Sequence, residues 1–271
     1  MTVEKLEAIP SAPVEVSDDV RTVCAISVVA GILANVLHEG LGHAVTALLS
    51  GAKSGVLSTV AWSSEFDTRL VAAGGTLANL AAALIFWAIL FASIDRSVRL
   101  RYFLLVSAAY NVFDGTGYLL FSGVTNFGDW AVVIAGLPAH WLWRTLLLVI
   151  GVASYYAAAV AVGIALVRYV GVRRDESARL RILLFVPYGT AVLLAIAGGL
   201  LNPVGVQLVW QSALPGSAGA HSGLLWLQYS IPKGAVPERP AGVISRSYAW
   251  FGLALAFSTV FIFVLGRGIR L

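Results

Sequence analysis

Residues 22–50 read TVCAISVVAGILANVLHEGLGHAVTALLS. The run is long enough to cross a bilayer, which takes about 20 apolar residues. It nevertheless carries His38, Glu39 and His43 toward its far end. Five more apolar stretches follow, near 70–94, 102–122, 142–168, 181–201 and 247–266. Together they predict an all-α polytopic integral membrane protein with about six transmembrane helices. Composition agrees. Of 271 residues 59% are hydrophobic and only 12% charged, and the mean hydropathy is +0.85. A soluble domain carries about 25% charged residues, so soluble, disordered and fibrous classes are excluded.

The charged residues divide the chain. Residues 1–21 are expected to form an N-terminal cytoplasmic tail, with no cleaved signal peptide because no basic segment precedes a short apolar core. Residues 22–122 form a region of three spans with a short β-like loop at 51–69. Residues 123–271 supply three further spans and a long outer loop, 202–246. In that loop VGVQLVWQ and LLWLQYSI flank SALPGSAGAHSG, as an outer hairpin or an interfacial segment. Arginines cluster at 96–101 and 168–181, and positive loops lie inside, so both termini are expected in the cytoplasm. The formal charge of +4 is read as this topology signal, with the bilayer as partner and no nucleic acid. The single cysteine, Cys24, excludes an internal disulfide framework and a Cys-based zinc cluster.

Four ionisable groups fall inside spans: His38, Glu39 and His43 in the first, Asp114 in the third. Each costs about 2.5–3.5 kcal/mol to insert. Counted from Arg21 and Arg101, His38 and Asp114 lie about 25 and 20 Å from the inner boundary, both in the outer half. Two imidazoles and a carboxylate make a three-ligand set for catalytic zinc, with the fourth position left to water. Glu39 would be the base that takes a proton from that water.

The histidines are five apart rather than the four of H-E-x-x-H. On a regular α-helix that leaves them about 140° apart. A π-bulge would restore a common face, helped by Gly40 and Gly42. Without a bulge, Glu39, His43 and Asp114 would share a metal and no base would remain.

Three segments resemble, in order, the site-2 protease family of intramembrane zinc metallopeptidases. HEGLGHAVTALLSG (38–51) resembles its zinc helix. AAGGTLANLAAALIF (72–86) resembles its second helix, with Asn79 at the Asn position and Gly75 in place of Pro. YNVFDGTGY (110–118) resembles its third, with Asp114 at the third-ligand position. The loop GAKSGVLSTVAWSSEFDTRL (51–70) resembles the family's β-structured loop, whose open strand edge can add a substrate strand. The resemblance implies a three-helix core, a Zn2+ ion held by His38, His43 and Asp114, Glu39 as base, and a membrane protein or peptide as substrate.

Plainer readings stand beside this one. The His38–Glu39–His43 cluster could be polar glue between helices, and Asp114 a neutral carboxyl bonded to a neighbouring backbone group or to Asn111. Asn79 is read first as a helix–helix hydrogen bond and second as a candidate substrate-binding residue. His140 and His221 are read as solvated loop histidines, and Asp129 as a loop or cap residue. The expected function is zinc-dependent hydrolysis of a peptide bond within or beside the membrane. The alternatives are a catalytically inactive relative that binds membrane segments as regulator or chaperone, and a metal-ion or proton carrier.

Overall fold

The computed structural model describes residues 17–237 and 242–271. The expected tail lies, up to residue 16, outside the described residues. Asp19 caps the first helix by accepting the Thr22 N–H at 2.9 Å. Helix α1 (Val20–Asn35), a π-helical segment (Val36–Val45) and α2 (Thr46–Ser50) form one continuous 31-residue rod. The loop beyond it makes strands β1 (Val56–Leu57) and β2 (Trp62–Ser63). Then come α3 (Arg69–Ala92), α4 (Val98–Thr125), the short α5 (Asp129–Ile134), α6 (His140–Ala165) and α7 (Ser177–Leu200). Last are α8 (Gly223–Ser230), α9 (Tyr248–Phe263) and strand β3 (Ile269–Arg270).

Among the described residues, five helices are long and apolar enough to cross a membrane, compatible with a multi-pass protein. Their outer faces carry Leu84, Val149, Leu193 and Leu255, each more than 60% exposed. Of the 16 residues of α9, only Phe261 is buried. An apolar surface of that extent belongs in hydrocarbon. The expected third span, 102–122, is the exception. It lies within α4, which has ample length at 28 residues but is too polar to be counted with the five. The reason is its place at the centre. The rod, α3, α5 and α6 all pack on it, so Arg101, Ser107, Asn111 and Asp114 are buried in protein rather than offered to lipid.

The segment 202–246 is not an outer hairpin. Two π-helical turns (Val209–Ala213 and Pro215–Gly219), a 3-10 turn (Ala220–Ser222) and α8 thread it inward. The Tyr155 hydroxyl pins the turn by donating to the Ala220 carbonyl at 2.6 Å and accepting the Gly223 N–H at 2.7 Å. Farther on, Leu227 and Ile231 pack against Gly163, near the other end of α6.

The thread comes out beside the start of α1. Buried Asp18 accepts Arg179 Nε and the Ile244 N–H, each at 2.7 Å. Arg246 pairs with Asp19 at 3.1 Å, and the Ser247 N–H donates to Thr22. Helix α9 therefore starts at the same end as α1. At the far end β3 pairs with β1, and Gly55 and Leu271 exchange backbone hydrogen bonds of 3.1 and 3.0 Å. Asp18 and Leu271 thus lie at opposite ends of the bundle, because the connector 202–246 crosses it and does not return to the side it left.

Asp18→Ala removes the acceptor of two buried donors at this junction. It is expected to cost about 1–3 kcal/mol, seen as a lower thermal midpoint in detergent. An unchanged midpoint would deny the junction a structural role.

Candidate metal centre

The helix that carries the histidines is wound as a π-helix over ten residues, Val36–Val45. Hydrogen bonding from i to i+5 gathers residues five apart onto one face. His38 and His43 accordingly stand with ring centroids 4.8 Å apart and Nε2 atoms 3.2 Å apart. The unbulged arrangement is therefore not the one adopted.

Glycines set the depth of the site. A Cβ on Gly42 would lie 2.4 Å from Gly75 Cα, and one on Gly74 would lie 2.2 Å from the Gly42 carbonyl oxygen. The π segment and α3 therefore meet backbone to backbone, as small residues allow between membrane helices. This contact brings Gly75 beneath both imidazoles.

The outer ring nitrogens are committed. Asn79 Nδ2 donates to the Ala34 carbonyl at 3.2 Å and to Asn111 Oδ1 at 2.8 Å, so its Oδ1 faces His38. His38 Nδ1 then donates to Asn79 at 2.5 Å. His43 Nδ1 donates to the Val71 carbonyl at 2.7 Å. A neutral imidazole that donates from Nδ1 carries its lone pair on Nε2. Two lone pairs thus face each other, with Asp129 Oδ2 standing 3.3 Å from one and 3.5 Å from the other. His38, His43 and Asp129 could together hold a metal ion.

Asp129 owes its place to a reversal after α4. Asn126 and Gly128 both take positive φ, 55° and 84°, and α5 begins at Asp129 itself. Glycine suits the second of these positions because it has no Cβ to strain.

Of the expected site residues, His38, Glu39 and His43 lie together. Glu39 is buried, and its Oε2 has no hydrogen-bond partner among the described residues. Asp114, the expected third ligand, is not with them: its carboxylate stands 3.0 Å from His221 Nε2. The acid that meets both histidines is Asp129, 15 residues further along, because the chain doubles back there. Asn79 is completely buried and its donors are spent on protein, so it orients His38 and is not available to substrate. His221, expected in solvent, is buried beside Tyr110. His140 sits at the surface against Asn126. The one hint of Asp129 in the sequence is isolation, since it is the only acid between Asp114 and Asp175.

A cleft of about 360 Å3 opens onto the group. His38, Glu39, His43 and Asp129 form its floor, Tyr118 and Phe121 one wall, and residues 60–64 of the hairpin another. The sheet runs β2–β1–β3, so among the described residues the outer edge of β2 has no partner strand. The Ser58 N–H donates to the Ala61 carbonyl, and the backbone of the next residue, Trp62, hydrogen-bonds to Glu39.

No family model matches the chain, and no curated protein or solved structure matches it either.

Proposed function

We propose that the chain is a membrane-embedded zinc metallopeptidase with a site-2-protease-like core. The observation that carries the reading is the convergence of three lone-pair donors, His38, His43 and Asp129, with separations of 3.2, 3.3 and 3.5 Å. A tetrahedral zinc with ligand distances near 2.0–2.1 Å sets its ligands about 3.3 Å apart. In the neutral tautomers that these partners favour, both Nε2 lone pairs are left to share a cation. Asn79 and the Val71 carbonyl act as the outer partners that fix each ring.

Bound zinc would supply Lewis-acid polarisation of a carbonyl and a more acidic water. The chain's own residues supply the rest. The outer edge of β2 would take an extended peptide segment, lying along the cleft as an added strand. Glu39, next to His38 and bordering the same cleft, takes the proton from the attacking water and returns it to the departing amine. The reading of an inactive relative rested on the five-residue spacing, and the π-helix removes that support.

Orientation belongs to the same proposal. Arg21, Arg99, Arg179 and Arg246 gather at the end where α1 starts, through contacts such as Arg99 with Ser245 and Arg179 with Asp18. The positive-inside rule assigns that end to the cytoplasm. The cleft and Leu271 then lie toward the opposite side.

The test is elemental analysis of protein purified in detergent, together with cleavage of fluorescein-labelled casein. Wild type should hold about one zinc per chain, and His43→Ala should hold none. Glu39→Gln should keep the zinc and lose activity by about 10²–10⁴. Folded wild type without zinc after resupply would overturn the metal. Full cleavage by Glu39→Gln would overturn the base.

A further inference from the structure

Glu39 borders a second cavity, of about 70 Å3. It shares Tyr118 and Ser212 with the cleft, and Thr59, Asp114 and His221 line it elsewhere. Every polar side chain of this last trio has an orphan. Thr59 Oγ1, Asp114 Oδ1 and both ring nitrogens of His221 lack a hydrogen-bond partner among the described residues, as does Glu39 Oε2. The 3.0 Å approach of His221 to Asp114 lacks the alignment of a hydrogen bond. Buried polar atoms are almost always partnered, so five orphans around one small cavity point to something within it.

Water fits that place and a metal ion does not. One water needs only about 10–15 Å3 of space for its centre, so the cavity has room for several. The orphans mix donors and acceptors: a hydroxyl, the ring nitrogens of an imidazole, and carboxylate oxygens. Water serves both kinds, whereas a metal ion serves lone pairs alone. Among the described residues the group of metal-type donors that converges on one point is His38, His43 and Asp129, not Asp114 and His221.

The cavity also answers a need of the reaction. Each turnover breaks one C–N bond and consumes one water, whose hydroxyl joins the acyl carbon and whose remaining proton goes to the amine. A peptide strand along β2 fills the cleft, so replacement water needs another source. We propose that the cavity is an internal water store, gathered by Asp114 and His221, that refills the site past Glu39 while the cleft is occupied. This rests on the metallopeptidase reading for its purpose but not for its existence.

A high-resolution structure of the full chain, wild type and His221→Leu, tests it. Ordered water within hydrogen-bonding distance of Asp114 and His221 is expected in wild type and lost in the variant, with zinc retained in both. Casein cleavage should fall about tenfold, as for residues that act on a site through intermediaries, and His221→Gln should restore part of it. An unfilled cavity in a well-ordered map, or a peak with anomalous scattering, overturns the store. Wild-type cleavage by His221→Leu with its water gone overturns the supply role. Zinc-free wild type would fail the metallopeptidase reading alone, and the water density would still decide the cavity.

Discussion

Gly75→Ala is expected to abolish zinc binding. A methyl carbon at this position lies 2.4 Å from His43 Nε2 and 2.6 Å from His38 Nε2, inside the volume the two ligand atoms share. Neither ring can retreat. His38 is held through Nδ1 by Asn79, and His43 by the Val71 carbonyl. For α3 to retreat, the close backbone packing at Gly42 and Gly74 would have to be given up. Alanine is itself a better helix residue than glycine by about 0.5–1 kcal/mol, so the loss would come from the collision and not from the backbone. Gly189→Ala, on α7 with nothing within 4 Å of the added carbon, is the matched control and should keep its zinc. Zinc content at the wild-type level in Gly75→Ala would mean that the imidazoles do not converge as described.

Asp129→Asn should weaken zinc binding by more than the about 10–100-fold typical of an outer partner, while Asp114→Asn leaves it nearly unchanged. The asparagine keeps the size of the side chain but removes the charge that two Nε2 lone pairs face at 3.3 and 3.5 Å. Asp114 stands beside His221 and outside the group formed by the two histidines and Asp129. Competition with a chelator, on the two variants side by side, measures the difference. If Asp114→Asn strips the metal and Asp129→Asn keeps it, the ligand set implied by the family resemblance stands instead.

The comparison between these two acids marks how far the sequence could be read. Residues 22–50 disclosed a membrane helix and its three polar groups, because hydropathy and charge are local properties. The π turn was legible for the same reason: five-residue spacing with glycines inside it admits few helical solutions. Asp129 was not legible. An acid after Asn-Phe-Gly reads as a loop or cap residue, but it opens the helix behind the cap Gly128, and nothing local says that the turn aims it back at His38. His221 failed the same way, since a Gly-, Ala- and Ser-rich segment reads as surface loop until its tertiary partner, Tyr155, is known. The polar character of α4 was visible as Asp114 and Asn111, but its central place came only from the packing around it.

Strand β3 has a consequence for the order in which the protein is made. Val56 pairs with Arg270 and Leu57 with Ile269, partners separated by most of the chain. Contacts that distant form late, after the intervening loop has been closed. A nascent chain that has emerged only as far as α6 already possesses His38, Glu39, His43 and Asp129, yet its hairpin has both edges bare. Bracing of the inner edge by β3 waits for residues 269–270, so the polar cluster is complete in the nascent chain well before the sheet beside it.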